Sequence, residues 1–125
     1  EIPVATIVKG KAMSCGAVLS TFGTNGMRYA DPSATFMIHD VSLGAFGKTG
    51  EVAASAEEGR RLNEKILKMM ALNCNQDESF FADEIHRRKH ADWYLTSEEA
   101  LELEIINHTY LPKMQVDIGI TWSFS

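Results

Sequence analysis

Three residue types that could act together are spread along the chain as Ser14, His39 and Asp92. Serine is a poor nucleophile at neutral pH and needs a nearby imidazole to take its proton. That imidazole in turn needs a carboxylate to set its tautomer and stabilise its charge. The sequence supplies the types and their order, not their distances. Singly, each also has an ordinary reading: His39 as a strand-end surface histidine, Asp92 as a turn or cap residue, Ser14 as a turn or helix cap. Ser14 lies in Ala12-Met13-Ser14-Cys15-Gly16, a loose relative of the Gly-x-Ser-x-Gly elbow. Small residues two before and two after it let the backbone bend sharply and push the hydroxyl out of the packing. A helix beginning there leaves free N–H groups beside the hydroxyl, which could stabilise an oxyanion.

The elements that must hold these groups can be read in order. Residues 2–8 form a short apolar run rich in Val and Ile and predict a buried strand, ended by Lys9-Gly10-Lys11. A helix is expected from about Ser14 to Phe22, stopped by Gly23-Thr24-Asn25-Gly26. Met27-Arg28-Tyr29-Ala30 and Thr35-Phe36-Met37-Ile38-His39 read as strands around an Asp31-Pro32-Ser33 turn, which leaves the His39 imidazole at a strand end. Val41 to Gly50 carries Gly44, Gly47 and Gly50 and reads as an extended, flexible segment.

Residues 51–73 give the longest helical pattern, with Val52, Ala53, Ala56, Leu62, Ile66, Met69 and Met70 on one face. Glu57–Arg61 and Glu64–Lys68 are candidate i,i+4 pairs on the other. The apolar stripe is open to two readings, core packing or an arm laid on a neighbour. Asp77 can cap a helix over 78–90, with Phe80, Phe81 and Ile85 inward. Asp92 to Leu95 reads as an irregular or short extended link. Thr96 and Glu99 form a capping box that opens a short helix to about Leu103. Residues 114–124 alternate strictly, Met114, Val116, Ile118, Ile120, Trp122 and Phe124 against polar or small residues, and predict a half-buried strand needing a sheet in this chain or a neighbour's.

Composition narrows the classes. The 125 residues suit one domain, 1–125, and an apolar content of 45% is ordinary for a globular chain. No apolar run approaches a membrane span, and no basic n-region of a signal peptide is visible. The first residue is not Met, which suggests a processed or partial chain. A net charge of −5 with scattered Lys and Arg argues against a nucleic-acid surface, and Arg87-Arg88-Lys89 reads as a solvated helix face. Cys15 and Cys74 read as free thiols in a reducing compartment, Cys15 as a small packing residue. His86 and His90 share a helix face, but Arg87 stands where a zincin has Glu, so two solvated histidines are expected and no metal. His108 reads as a surface residue near a strand end. Gly44-x-x-Gly47-x-x-Gly50 lacks the context of a phosphate loop, so ATP should not bind this chain.

Together these stretches resemble the proteolytic subunit of the Clp protease, over the C-terminal two-thirds of that family's domain. Val4-Ala5-Thr6-Ile7-Val8 followed by Ala12-Met13-Ser14-Cys15-Gly16-Ala17-Val18-Leu19 is similar to its strand and Ala-Ser-Met-Gly-Ala nucleophile turn. Met37-Ile38-His39 resembles its Met-Ile-His motif, and Leu43-Gly44-Ala45-Phe46-Gly47 its glycine-rich strand. Asp92-Trp93-Tyr94-Leu95-Thr96-Ser97-Glu98-Glu99-Ala100 resembles Asp-Arg-Phe-Leu-Ser-Ala-Pro-Glu-Ala, and the match is nearly colinear to about Asn107.

The resemblance implies a crotonase-like α/β fold of strand–helix repeats with a long handle helix, to which this chain would add a C-terminal strand. It implies a serine endopeptidase that cuts unfolded polypeptides inside stacked heptameric rings, in the cytoplasm or in an organelle stroma or matrix. A AAA+ unfoldase partner would use the ATP, leaving this chain without a cofactor. By position, Ser14 would be the nucleophile, His39 the general base and Asp92 its orienter, with Asp83 as a rival for the third place. The Cys15 N–H would donate to the oxyanion. Leu43 and Gly44 would lie along substrate, and residues 43–73 would join the rings. The family's N-terminal elements, including the Gly-Gly turn that gives the second oxyanion donor, have no counterpart here. An inactive subunit that co-assembles with active ones is the alternative these departures raise.

Overall fold

Short strands, three short helices and one long helix make nine elements among the described residues. The computed structural model describes residues 2–125. β1 (Thr6–Val8) and β2 (Lys11–Met13) flank Lys9-Gly10, and α1 (Cys15–Ser20) begins one residue after β2. β3 (Arg28–Ala30) and β4 (Thr35–Ile38) follow, separated by a turn in which Asp31 Oδ1 accepts from the Ser33 N–H at 2.9 Å and the Ser33 hydroxyl at 2.6 Å. α2 (Thr49–Asn73), α3 (Phe80–Arg87), β5 (Trp93–Thr96) and α4 (Ser97–Glu102) complete the order.

β1 pairs in parallel with β3, and His108 bridges to Tyr29 on the other edge of β3. A second sheet has the order β2-β4-β5, parallel between β2 and β4 and antiparallel between β4 and β5. Parallel partners need a crossover. Here both crossovers, β1 to β3 and β2 to β4, run through α1, so the helix that starts after Ser14 packs against strands of both sheets.

The core forms where the strand and helix periods agree. Phe36 and Ile38 of β4 face Leu95 and Trp93 of β5, all four buried, while their strand neighbours turn outward. Phe81 and Ile85 of α3 and Leu67, Met70 and Ala71 of α2 close over that face, with Phe81 and Trp93 ring centroids 6.0 Å apart. Arg88 lies 4.5 Å above the Trp93 ring and covers its outer side. Thr96 caps α4 as the sequence predicts: its Oγ1 accepts from the Glu99 N–H at 3.2 Å and its own N–H donates to Glu99 at 2.8 Å.

Several expectations are corrected. The first strand is only Thr6–Val8, and Ile2, Val4 and Ile7 are exposed rather than buried. Lys11 does not end a strand but begins β2, because β4 is there to pair with it. Along α2 only Gly59, Leu67, Met70 and Ala71 are buried; Val52, Ala53, Ala56, Leu62 and Met69 are exposed, because the N-terminal half of the helix projects past the core. Its ion pairs are Glu57–Arg60, Glu58–Arg61 and Arg60–Glu64, and Lys68 reaches Glu78 instead of Glu64. α3 starts at Phe80 after Ser79, so Asp77 does not cap it. Both cysteines are free, yet Cys15 is exposed rather than packed. The alternating tail 114–124 forms no strand and joins no sheet of this chain; Met114, Trp122 and Phe124 are 86%, 82% and 98% exposed. Alternation records a capacity to pair, and within this chain no sheet edge takes it up.

Candidate active site

The geometry of Ser14 comes first. β2 ends at Met13 and α1 starts at Cys15, so one residue must reverse the chain. Ser14 does so with φ 52° and ψ −115°, a conformation that side-chain-bearing residues rarely adopt. Its N–H donates to the Met37 carbonyl at 2.8 Å and its own carbonyl accepts from the Val18 N–H at 3.1 Å. Both backbone groups are therefore tied down while the hydroxyl leaves the helix uncapped. Strain held at a polar residue by fixed neighbours on both sides is the arrangement of a nucleophile elbow. The Cys15 N–H is the first of α1 and has no carbonyl within the helix to bond.

Ser14 and His39 open into one cavity of about 270 Å³, walled by Val18, Ile38 and Leu67. Cys15, Asp40, Val41, Ser42 and Asn63 also reach it. His39 stands one residue beyond β4 and is partly exposed. Asp92 precedes β5, is exposed and does not line this cavity. Among the described residues, no hydrogen bond joins His39 to Ser14 or to Asp92; the side-chain bonds of histidine are those of His90 and His108. Asp83 sits on the outer side of α3, where it accepts from the Ser79 hydroxyl at 2.8 Å.

A second groove, about 520 Å³, runs between residues 41–44 and α2. Leu43 and Gly44 line it, opposite Ala54, Gly59 and Leu62. The segment that carries them has no regular secondary structure and belongs to no sheet. Leu43 rests directly on Gly59: a Cβ there would come within 1.8 Å of the Leu43 Cδ2.

The structure adds three polar residues that the motif reading missed. Asp40 accepts from Asn63 Nδ2 at 2.7 Å and from His90 Nδ1 at 2.5 Å, and Asn63 Oδ1 accepts from the Val41 N–H at 2.8 Å. His90 and His86 are both exposed, as expected, yet His90 also holds Asp40 as a partner, and His86 stands edge-on to it with centroids 5.7 Å apart. His108, partly exposed, lies within 2.9 Å of the Gly26 carbonyl through Nε2. Among the described residues, no three His, Cys, Asp or Glu side chains are grouped to hold a metal ion. No helix among them is long and apolar enough to cross a membrane.

A comparison with family models matches residues 1–111 to the family described as Clp protease. The chain belongs to the Clp protease family. Its mixed α/β fold of small sheets and helices is compatible with that family, and the match supports a peptidase of the Clp type.

Proposed function

We propose that this chain is a serine endopeptidase of the ATP-dependent Clp type, acting on unfolded polypeptide. The observation that carries this reading is the strained elbow at Ser14, opening onto the cavity that His39 also lines, in a chain of this family. Ser14 Oγ attacks the scissile carbonyl carbon while His39 takes the hydroxyl proton. The Cys15 N–H donates to the oxyanion that forms. The C–N bond then breaks, His39 delivers the proton to the leaving amine, and an acyl-serine remains. Water, deprotonated by His39, attacks this ester; its C–O bond breaks as His39 returns the proton to Ser14 Oγ, and the new carboxyl terminus is released. Asp92 orients the imidazole once its side chain is turned toward His39. Leu43 and Gly44 support an extended substrate along the groove beside α2.

The same reading assigns residues 43–73 to contacts between rings, with the N-terminal half of α2 as the handle. Its exposed Val52 and Leu62 favour that assignment over core packing. Stacked heptameric rings would enclose the sites. A AAA+ unfoldase would supply polypeptide and consume the ATP, in the cytoplasm or an organelle stroma or matrix, and the chain itself would need no cofactor. The position of Asp92 outside the cavity favours one second reading, a subunit that assembles with active partners without cutting. Labelling with a fluorophosphonate probe separates the two. Ser14-dependent labelling, lost in Ser14→Ala, is expected; equal labelling of the two proteins sinks Ser14 as nucleophile, and none in either supports the silent subunit.

A further inference from the structure

We propose that Asp40 is a positioning residue that fixes the His39 end of β4 against the turn carrying Asp92, using Asn63 and His90 as its two anchors; this rests on the peptidase reading above. Beyond His39 the chain enters the unpaired 41–48 segment, which would leave the imidazole on a loose strand end. Asp40 stops that. One carboxylate oxygen accepts from Asn63 on α2 at 2.7 Å, the other from His90 at 2.5 Å. Asn63 then closes the loop by accepting from the Val41 N–H at 2.8 Å. The two bonds of Asn63 agree on its amide orientation, because the flipped amide would turn its oxygen toward the carboxylate and its NH₂ toward an N–H. Bonds to a carboxylate are shorter and stronger than neutral ones.

The partners come from three separate places: the exit of β4, the middle of α2 and the turn after α3. His90 reaches Asp40 from a turn with positive φ at Lys89 (55°) and His90 (61°), so the backbone is held in a costly shape that delivers this ring. His90 stands two residues before Asp92. The carboxylate therefore spans the gap between the strand that ends in the base and the turn that carries its orienter. The Asp40 side chain is 33% exposed, so the bonds work mainly through geometry rather than through Coulomb energy.

The experiment compares wild type with Asp40→Ala, Asp40→Asn and Asn63→Ala, alone and combined with Asp40→Ala, in fluorogenic peptide hydrolysis and fluorophosphonate acylation. An asparagine at 40 keeps one acceptor for Asn63 and an NH₂ for the His90 ring in its other tautomer. Asp40→Ala is expected to lower kcat about 10- to 100-fold, since misplacement of a reacting group by 1 Å can cost that much. KM should stay within about twofold, Asp40→Asn should recover most of kcat, and Asn63→Ala should cost less in the Asp40→Ala background than in wild type. A folded Asp40→Ala protein with unchanged kcat, or equal losses for Ala and Asn, overturns the proposal. NMR of the His39 ring, recorded on each protein, needs no activity. A single sharp ring environment in wild type that broadens in Asp40→Ala and sharpens in Asp40→Asn supports positioning even where Ser14 proves unreactive; an identical His39 ring in all of them refutes it.

Discussion

Replacing Arg28 by methionine keeps most of the side chain's volume and removes all of its donors. Arg28 is 1% exposed and, among the described residues, pairs with no carboxylate. Its guanidinium donates to the Thr21 and Asn73 carbonyls at 3.2 and 2.9 Å, to Asn107 Oδ1 at 3.2 Å and to Asn25 Oδ1 at 3.3 Å. Asn107 Oδ1 keeps the Gly26 and Arg28 backbone N–H groups, and Asn25 Oδ1 keeps the Asn107 amide. The two backbone carbonyls lose the side chain that pairs them, at about 1–3 kcal/mol each. Relief of the buried charge offsets part of this. The balance is a loss of about 2–4 kcal/mol, which lowers the urea midpoint by roughly 1–3 M for a domain of this size. Urea unfolding followed by circular dichroism reads the shift directly. Arg28→Lys should fare little better, because an ammonium cannot span carbonyls at the ends of α1 and α2 together. A methionine variant as stable as wild type would mean that desolvation of the guanidinium outweighs its hydrogen bonds, and would refute the argument.

Burial pushes the Cys74 thiol up to about 12, against a smaller opposing pull from Arg28, so Ellman's reagent should titrate one thiol, Cys15, in the native protein and both after denaturation. The raised value also has a pH consequence. The unfolded thiol ionises near 9 and the folded one near 12, so the stability it contributes is whole below pH 9 and declines from there toward pH 12, by at most about 1.4 kcal/mol per pH unit. Cys74→Ala removes that component of the alkaline decline in urea titrations run across this range. Thr96→Ala removes the cap of α4 and should cost about 1 kcal/mol in thermal unfolding. Gly59→Ala improves helix propensity by about 1 kcal/mol, yet its methyl evicts Leu43 from its seat. Stability should therefore hold while KM for peptide substrates rises, and an unchanged KM would detach Leu43 from the substrate path.

What could be read from the sequence was local. The bend at Ser14, the strand before His39 and the Thr96 box each depend on residues within a few positions, and each stands where expected. β2 was hidden because a three-residue strand has no pattern of its own; it exists through its pairing with β4, more than twenty residues on. The Asp40 cluster was invisible for the same reason, its bonds spanning 23 and 50 positions. In α2 the stripe was real but the burial was not, because periodicity reports a face and says nothing of what lies against it. The tail makes the same point for strands.

The backbone at Ser14 also bears on durability. A glycine would adopt its φ of 52° without the steric penalty, whereas a serine there bears about 1–3 kcal/mol. On the peptidase reading proposed above, the nucleophile is thus a residue the fold would be firmer without. On that reading, mutational drift toward a sturdier elbow leads away from the hydroxyl, and stability and hydrolysis would pull this one position in opposite directions.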